Sequence, residues 1–279
     1  MEEKELFLVV RKRAVVGAFL IFLGIFIVQI MAYSVLMLLL PLFLQTGTEI
    51  GVLLKEDAFR HLVSECFALF ASVCFIVWCG TLYARSEWRQ KADYKKVFCR
   101  HHLLQIFLSG FCGCFVIIII ITALQQFFPA VFTDYEKGMS DFNTGSVRML
   151  LYVLVLGPAA EELMFRGAIF DRLYLAFPFH IANFLQAVLF AVYHKNLIQG
   201  LYAFFFGLLL GVLHHTGGSI WNNILAHMLF NATNYLMPVL YTQAMKRGAV
   251  VLILLEVICF SGFFYVVLDL HKSMKTKEK

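Results

Sequence analysis

The residues best equipped for chemistry are ionisable groups set in stretches where nearly everything else is apolar. Glu161-Glu162-Leu163-Met164-Phe165-Arg166 follows Gly157-Pro158 in one such stretch. A second ends Phe190-Ala191-Val192-Tyr193-His194, and a third contains His227-Met228-Leu229-Phe230-Asn231. Helical spacing of four puts Glu162 and Arg166 on one face, where they can pair, and does the same for His227 and Asn231. Glu161 is turned by about 100° from Glu162, so it is free to face something else. Pro158 removes a backbone bond one turn earlier, which predicts a bend that frees carbonyls near the carboxylates.

A carboxylate and an imidazole can hold a water between them and take its proton. A second imidazole beside an amide can donate hydrogen bonds to a developing oxyanion. Together these are the parts of a hydrolase that works by water attack. The same imidazoles and carboxylates also suit zinc, so metal-assisted chemistry stays open at this point. A single histidine in an apolar helix is most often a satisfied core residue. Two Glu, an Arg, two His and an Asn on three helices are better read as one convergent, hydrated site, since each is costly in lipid unless paired or wet.

The elements that must position them are membrane helices. Of 279 residues, 61% are apolar and 15% charged, and 30 are Phe. Mean hydropathy is +0.80. A soluble domain carries about a quarter charged residues, so the composition predicts an all-α, polytopic transmembrane bundle and excludes a disordered or disulfide-built secreted chain. About eight blocks approach spanning length. They are Ala14 to Leu44, Leu62 to Ala84, Leu103 to Phe128, Val147 to Phe170, His180 to His194, Leu197 to His214, Ile220 to Tyr241 and Ala249 to Leu270. The first is too long for a signal-peptide apolar region and reads as a retained helix. The sequence shows no linker or internal repeat, so residues 1–279 read as a single membrane domain. The seven cysteines form no CxxC pair and read as isolated thiols.

Formal net charge is +5, with the basic residues lying between apolar blocks, as for loops beside an anionic membrane. No nucleic acid partner is expected. Arg85, Arg89, Lys91, Lys95, Lys96 and Arg100 crowd one connection, and Lys272, Lys275, Lys277 and Lys279 the tail. The connection Pro129 to Ser146 has Lys137 against Asp134, Glu136 and Asp141. With an even helix count, both termini and the basic loop fall on the cytoplasmic side. Gly207-x-x-x-Gly211 reads as a close helix contact. Glu65 and Glu256 are expected to pair between helices, and His214-His215 to sit at an interfacial turn.

The three polar segments resemble the motifs of the CPBP family, the CAAX-processing and bacteriocin-processing intramembrane proteases, also called the Abi family. Its pattern E-E-x-x-x-R, F-x-x-x-H, H-x-x-x-N is met in order by Glu161 to Arg166, Phe190 to His194 and His227 to Asn231. Similar text surrounds them, in Phe165-Arg166-Gly167, Gln199-Gly200-Leu201 and Phe206-Gly207. The likeness runs from Leu151 to Thr233, giving a family-like core of about 147–241. It implies that Glu161 and His194 activate the attacking water, that Glu162 and Arg166 brace the site, and that His227 and Asn231 bind the oxyanion or a metal. A metal set would be Glu161, His194 and His227 with water fourth. Arg166 and the amide of Asn231 favour the metal-free mechanism, with a divalent metal such as zinc as the alternative.

The resemblance implies a membrane-associated protein or peptide substrate, prenylated in eukaryotic members, and for some bacterial members bacteriocin processing or immunity. The expected location is the bacterial plasma membrane. Site-2 zinc, serine and aspartyl motifs are absent: no H-E-x-x-H, G-x-S-x-G or G-x-G-D occurs. Two rivals remain, a secondary transporter and a non-catalytic scaffold or immunity protein. A transporter predicts matching broken helices in both halves, whereas the polar motifs all fall in the second half. For His194 to meet Glu161 and His227, the connection from His194 to Gly200 must dip inward and border a polar cavity.

Overall fold

The computed structural model describes residues 2–44, 57–86, 98–133, 135 and 145–277. Most of the basic loop (Arg89, Lys91, Lys95, Lys96) and the acidic residues Asp134, Glu136 and Asp141 with Lys137 lie outside them. The described residues form helices and no strand, so the chain is an all-α bundle. Eight long rods follow the eight apolar blocks. They are α1 (Glu2–Leu44), α2 (Asp57–Ala84), α3 (Arg100–Phe127), α4 (147–176), α5 (Phe179–Tyr193), α6 (Leu197–Gly217), α7 (Ile220–Lys246) and α8 (Ala249–Lys277).

Five of these rods, α1, α2, α3, α6 and α8, are long and apolar enough to cross a membrane. The other three carry the polar motifs. α4 is broken twice by wider π turns, at Tyr152–Leu156 and Phe165–Phe170. α5 has only 15 residues. α7 is long but holds Asn222, Asn223, His227 and Asn231. The outermost helices are α1 and α8, whose spanning windows are only 28% and 11% buried. Their outward Ile30, Leu38, Ile253 and Ile258 are apolar and exposed, the pattern of surface that meets lipid instead of water.

Local sequence sets the breaks between rods. The hydroxyl of Ser146 caps α4 by accepting from the Met149 amide at 3.1 Å. Asn196 caps α6 through the amides of Ile198 and Gln199 at 3.0 and 3.1 Å. Gly218 ends α6 with φ of 66°, a left-handed conformation that a side chain would strain. Consecutive rods alternate in direction. Arg11 donates to the Ala176 carbonyl at 2.7 Å, His101 meets Asp269 at 2.9 Å, and Phe179 stacks against His215 at 4.6 Å. The beginning of α1 and the end of α8 therefore share one end of the bundle with Arg100 and the start of α3.

Apolar packing has two main clusters, beside a small third one of Tyr83, Ile220 and Ile224. One cluster joins α1, α2, α4 and α5 around Ile25, Phe75, Phe165 and Phe190; the other joins α3, α6, α7 and α8 around Phe115, Leu210 and Phe230. The polar motifs lie where the two meet. Gly207 and Gly211 let α5 and α6 approach, as the spacing predicts. A methyl at Gly207 would crowd Phe190 and Ala187, and one at Gly211 would overlap Asn183.

Candidate active site

The site is built outward from α4. Glu162 and Arg166 are both fully buried, and the guanidinium Nη1 donates to Oε1 of Glu162 at 2.8 Å. Burial makes that charge compensation a requirement, since either group alone would be stranded in low dielectric. Arg166 has two further supports. Nη2 reaches the Gly207 carbonyl at 3.3 Å, and the guanidinium lies 4.5 Å above the Phe190 ring. The phenylalanine of the second motif thus carries the arginine of the first.

The same Oε1 of Glu162 also accepts from Nδ1 of His227 at 2.8 Å. An ionised carboxylate only accepts, so the Nδ1 proton sits there and Nε2 faces the other way. It faces Glu161, whose Oε2 is 3.7 Å away. That gap is too long for a hydrogen bond, so the two atoms face each other without being joined. Unlike Glu162, Glu161 keeps some exposure, 14% of its side chain, and borders a cavity of about 220 Å³. Two adjacent carboxylates thus have opposite surroundings.

His194 closes the last turn of α5. Its Nδ1 donates to the Phe190 carbonyl at 2.8 Å, which leaves Nε2 available. It lies within electrostatic range of Glu161 and His227, and no direct hydrogen bond joins it to either among the described residues. The connection after it packs against α1, although Lys195 and Leu197 within it stay exposed. Lys195, with φ of 56°, sets its ammonium 5.3 Å from the Phe26 ring, and Gln29 reaches the Tyr193 hydroxyl at 3.5 Å. Phe26 and Gln29 are midway along α1, so this turn lies at mid-depth beside the Glu161 cavity.

Asn231 donates from Nδ2 to the Val153 carbonyl at 2.8 Å. Its partner explains the first π turn. In that wider winding the amide five residues on would serve Val153, but that residue is Pro158, which has no N–H. Asn231 supplies the missing donor and ties α7 to the bend in α4. One of its two N–H groups is thereby committed to structure.

The six residues picked out by motif, Glu161, Glu162, Arg166, His194, His227 and Asn231, thus lie around one junction. The metal set Glu161, His194 and His227 does not assemble: no three His, Cys, Asp or Glu side chains converge as ligands among the described residues. Only the Glu161 and His227 atoms approach each other. Elsewhere, Arg148 pairs with buried Glu65 at 2.8 Å, and Tyr241 donates to Glu256 at 3.1 Å. His214 and His215 correct an expectation. They end α6 as foreseen but are buried, with His214 3.7 Å from Asp171, because the ends of α4 and α5 cover them. All seven cysteines are free. A larger groove of about 740 Å³ between α3, α5, α6 and α8 is lined by none of the six motif residues.

Sequence reading missed Gln29 and Tyr193 as neighbours of the site. The signal was present in Gln29, the one amide in the apolar run from Ala14 to Leu44. It went unused because no motif surrounds it.

These features define a class: a multi-pass helical membrane protein with a Glu-Glu/Arg, His and His/Asn centre at a junction of broken helices. Residues 143–233 match the family described as Type II CAAX prenyl endopeptidase Rce1-like. A protein of Bacillus subtilis (strain 168) named "Putative membrane peptidase YdiL" is similar, with 30% identity over 130 residues. The match covers 40% of this chain and 53% of that protein, so it spans about half the length of the relative. No solved structure gives a significant match.

Proposed function

We propose that the protein is an intramembrane endopeptidase of the CAAX prenyl protease 2-like type. It hydrolyses a peptide bond in a membrane-associated protein or peptide, in the plasma membrane of a bacterium. The observation that carries this reading is the division of labour at α4. Glu162 is neutralised by Arg166 and spent on holding His227, while Glu161 faces the His227 Nε2 across a 3.7 Å gap at the edge of a cavity.

In the reaction, Glu161 and His194 hold a water, and Glu161 takes its proton as the oxygen adds to the scissile carbonyl. The second N–H of Asn231 meets the oxyanion, and His227 joins it as a donor when Nε2 also carries a proton. Collapse breaks the C–N bond, and the proton held by Glu161 leaves on the amine. No step here runs through a metal, because the donors do not converge as a ligand set. Bacteriocin or signal-peptide processing, or immunity, are the biological roles that suit such an activity.

The test is cleavage of membrane-anchored peptides by purified protein in detergent, with products read by mass spectrometry. Endoproteolytic products are expected, and exhaustive chelation should leave the rate unchanged. Uptake of solute by proteoliposomes without any cleavage would favour a transporter. A stoichiometric zinc whose removal and return switch cleavage off and on would overturn the metal-free reading.

A further inference from the structure

The cavity beside Glu161 is built mainly by helices that the motifs and the family match do not reach. Its volume of about 220 Å³ is below the range of roughly 300–1,000 Å³ of drug-sized ligand sites, so it suits one side chain and not a whole molecule. The room exists because small residues face each other across the contact of α2 with α4: Ala68 and Ala71 on one side, Gly157 and Ala160 on the other. Phe67 and Phe75 of α2 also border it. Ser72 contributes little polarity, since its hydroxyl donates to the Ala68 carbonyl of its own helix at 2.7 Å.

One side of this pocket is polar. Glu161 borders it, as do Tyr193, the neighbour of His194, and Gln29 of α1. Gln29 holds the Tyr193 hydroxyl only at the long distance of 3.5 Å, so its amide is available for a better partner. A primary amide at mid-depth of a lipid-facing helix is costly unless it is used, and here it borders the same cavity as Glu161. The arrangement is that of a specificity pocket: apolar room for a side chain, with an amide donor beside the carboxylate for the backbone that carries it.

We infer that this cavity receives one medium-sized apolar side chain of the substrate, of Leu, Met or Phe size, next to the scissile bond, so that α1 and α2 set cleavage specificity. The inference rests on the peptidase reading for the position of that bond. The pocket itself makes a separate claim about binding.

The test uses the purified full chain and a peptide series varied from Gly to Trp at each position around the cleaved bond. The wild type should prefer Leu, Met or Phe at one flanking position. Ala71→Leu should shift that preference to Gly or Ala by about tenfold or more, the usual worth of a filled apolar pocket. Ala68→Val covers the case in which Ala71→Leu does not fold, and Gln29→Leu should slow all peptides while keeping the preference. Cleavage with an unchanged preference in a folded Ala71→Leu or Ala68→Val protein overturns the inference. If the wild type cleaves nothing, the peptidase reading fails. Competitive binding of the same peptides then decides the pocket: dependence on Leu, Met or Phe that Ala71→Leu removes supports it, and its absence overturns it.

Discussion

Glu161 and Glu162 are covalent neighbours, yet only one of them is available to a reacting atom. Glu162 lies at 0% exposure with Arg166 and His227 on the same oxygen, so it serves as a fixed anion that orients an imidazole. Removing its arginine strands that anion. Arg166→Leu should destabilise the protein by about 3–5 kcal/mol, and the double change Glu162→Gln with Arg166→Leu should cost less than the single one. Unfolding in detergent, followed by tryptophan fluorescence, checks the order. Spacing alone made the Glu162–Arg166 pair legible, because residues four apart on a helix are obliged to be neighbours. The bond from Glu162 to His227 was not legible, since it links positions 65 residues apart and depends on how α4 meets α7. The same limit hid the Arg166 contact with Phe190.

Among the elements, α4 is the one whose irregularity does most. Pro158 foretold a bend, and the bend is a π turn whose orphan carbonyl, Val153, is taken by Asn231. Asn231→Leu should cost about 1–3 kcal/mol, the loss typical of an unsatisfied buried polar group. Pro158→Ala restores a backbone N–H that can serve the same carbonyl, so the two changes together should cost less than the sum of each. Equilibrium unfolding of the four proteins in the cycle measures that coupling, expected at about 0.5–3 kcal/mol. Hydropathy found all eight rods and placed α5 and α6 most closely, because caps such as Asn196 and stops such as Gly218 are local, but it began α1 well after its first turns and ended α4 and α8 early. It did not resolve the π turns of α4 or the one at Leu108–Cys112 in α3. The α3 turn lies against α7 at Gly110, where a methyl group would strike the Ala226 carbonyl.

At the scale of the whole molecule, alternation of eight rods brings the first turns of α1 and the last of α8 to one end, beside Arg100 and the start of α3. The excess of Lys and Arg there predicts that this end faces the cytoplasm. With the native cysteines replaced, Lys275→Cys should resist an impermeant thiol reagent in intact cells. Val147→Cys, 81% exposed at the opposite end, should react. The reverse labelling would invert the topology. The sequence read the second half of the chain as the working half because its motifs are dense there. The structure brings α1 and α2 to the same junction through Gln29 and Ala71, residues too ordinary to stand out before their neighbours across the fold are known.

The division of chemistry and support between two adjacent carboxylates is tested directly by one paired measurement. Glu161→Gln and Glu162→Gln are purified, and each is assayed for cleavage of a membrane-anchored peptide and for thermal unfolding. Glu161→Gln should unfold like the wild type and cleave at least about 100-fold more slowly. Glu162→Gln should unfold more readily, because Arg166 is left as an unbalanced buried cation. A folded Glu161→Gln protein that cleaves at the wild-type rate would contradict the account.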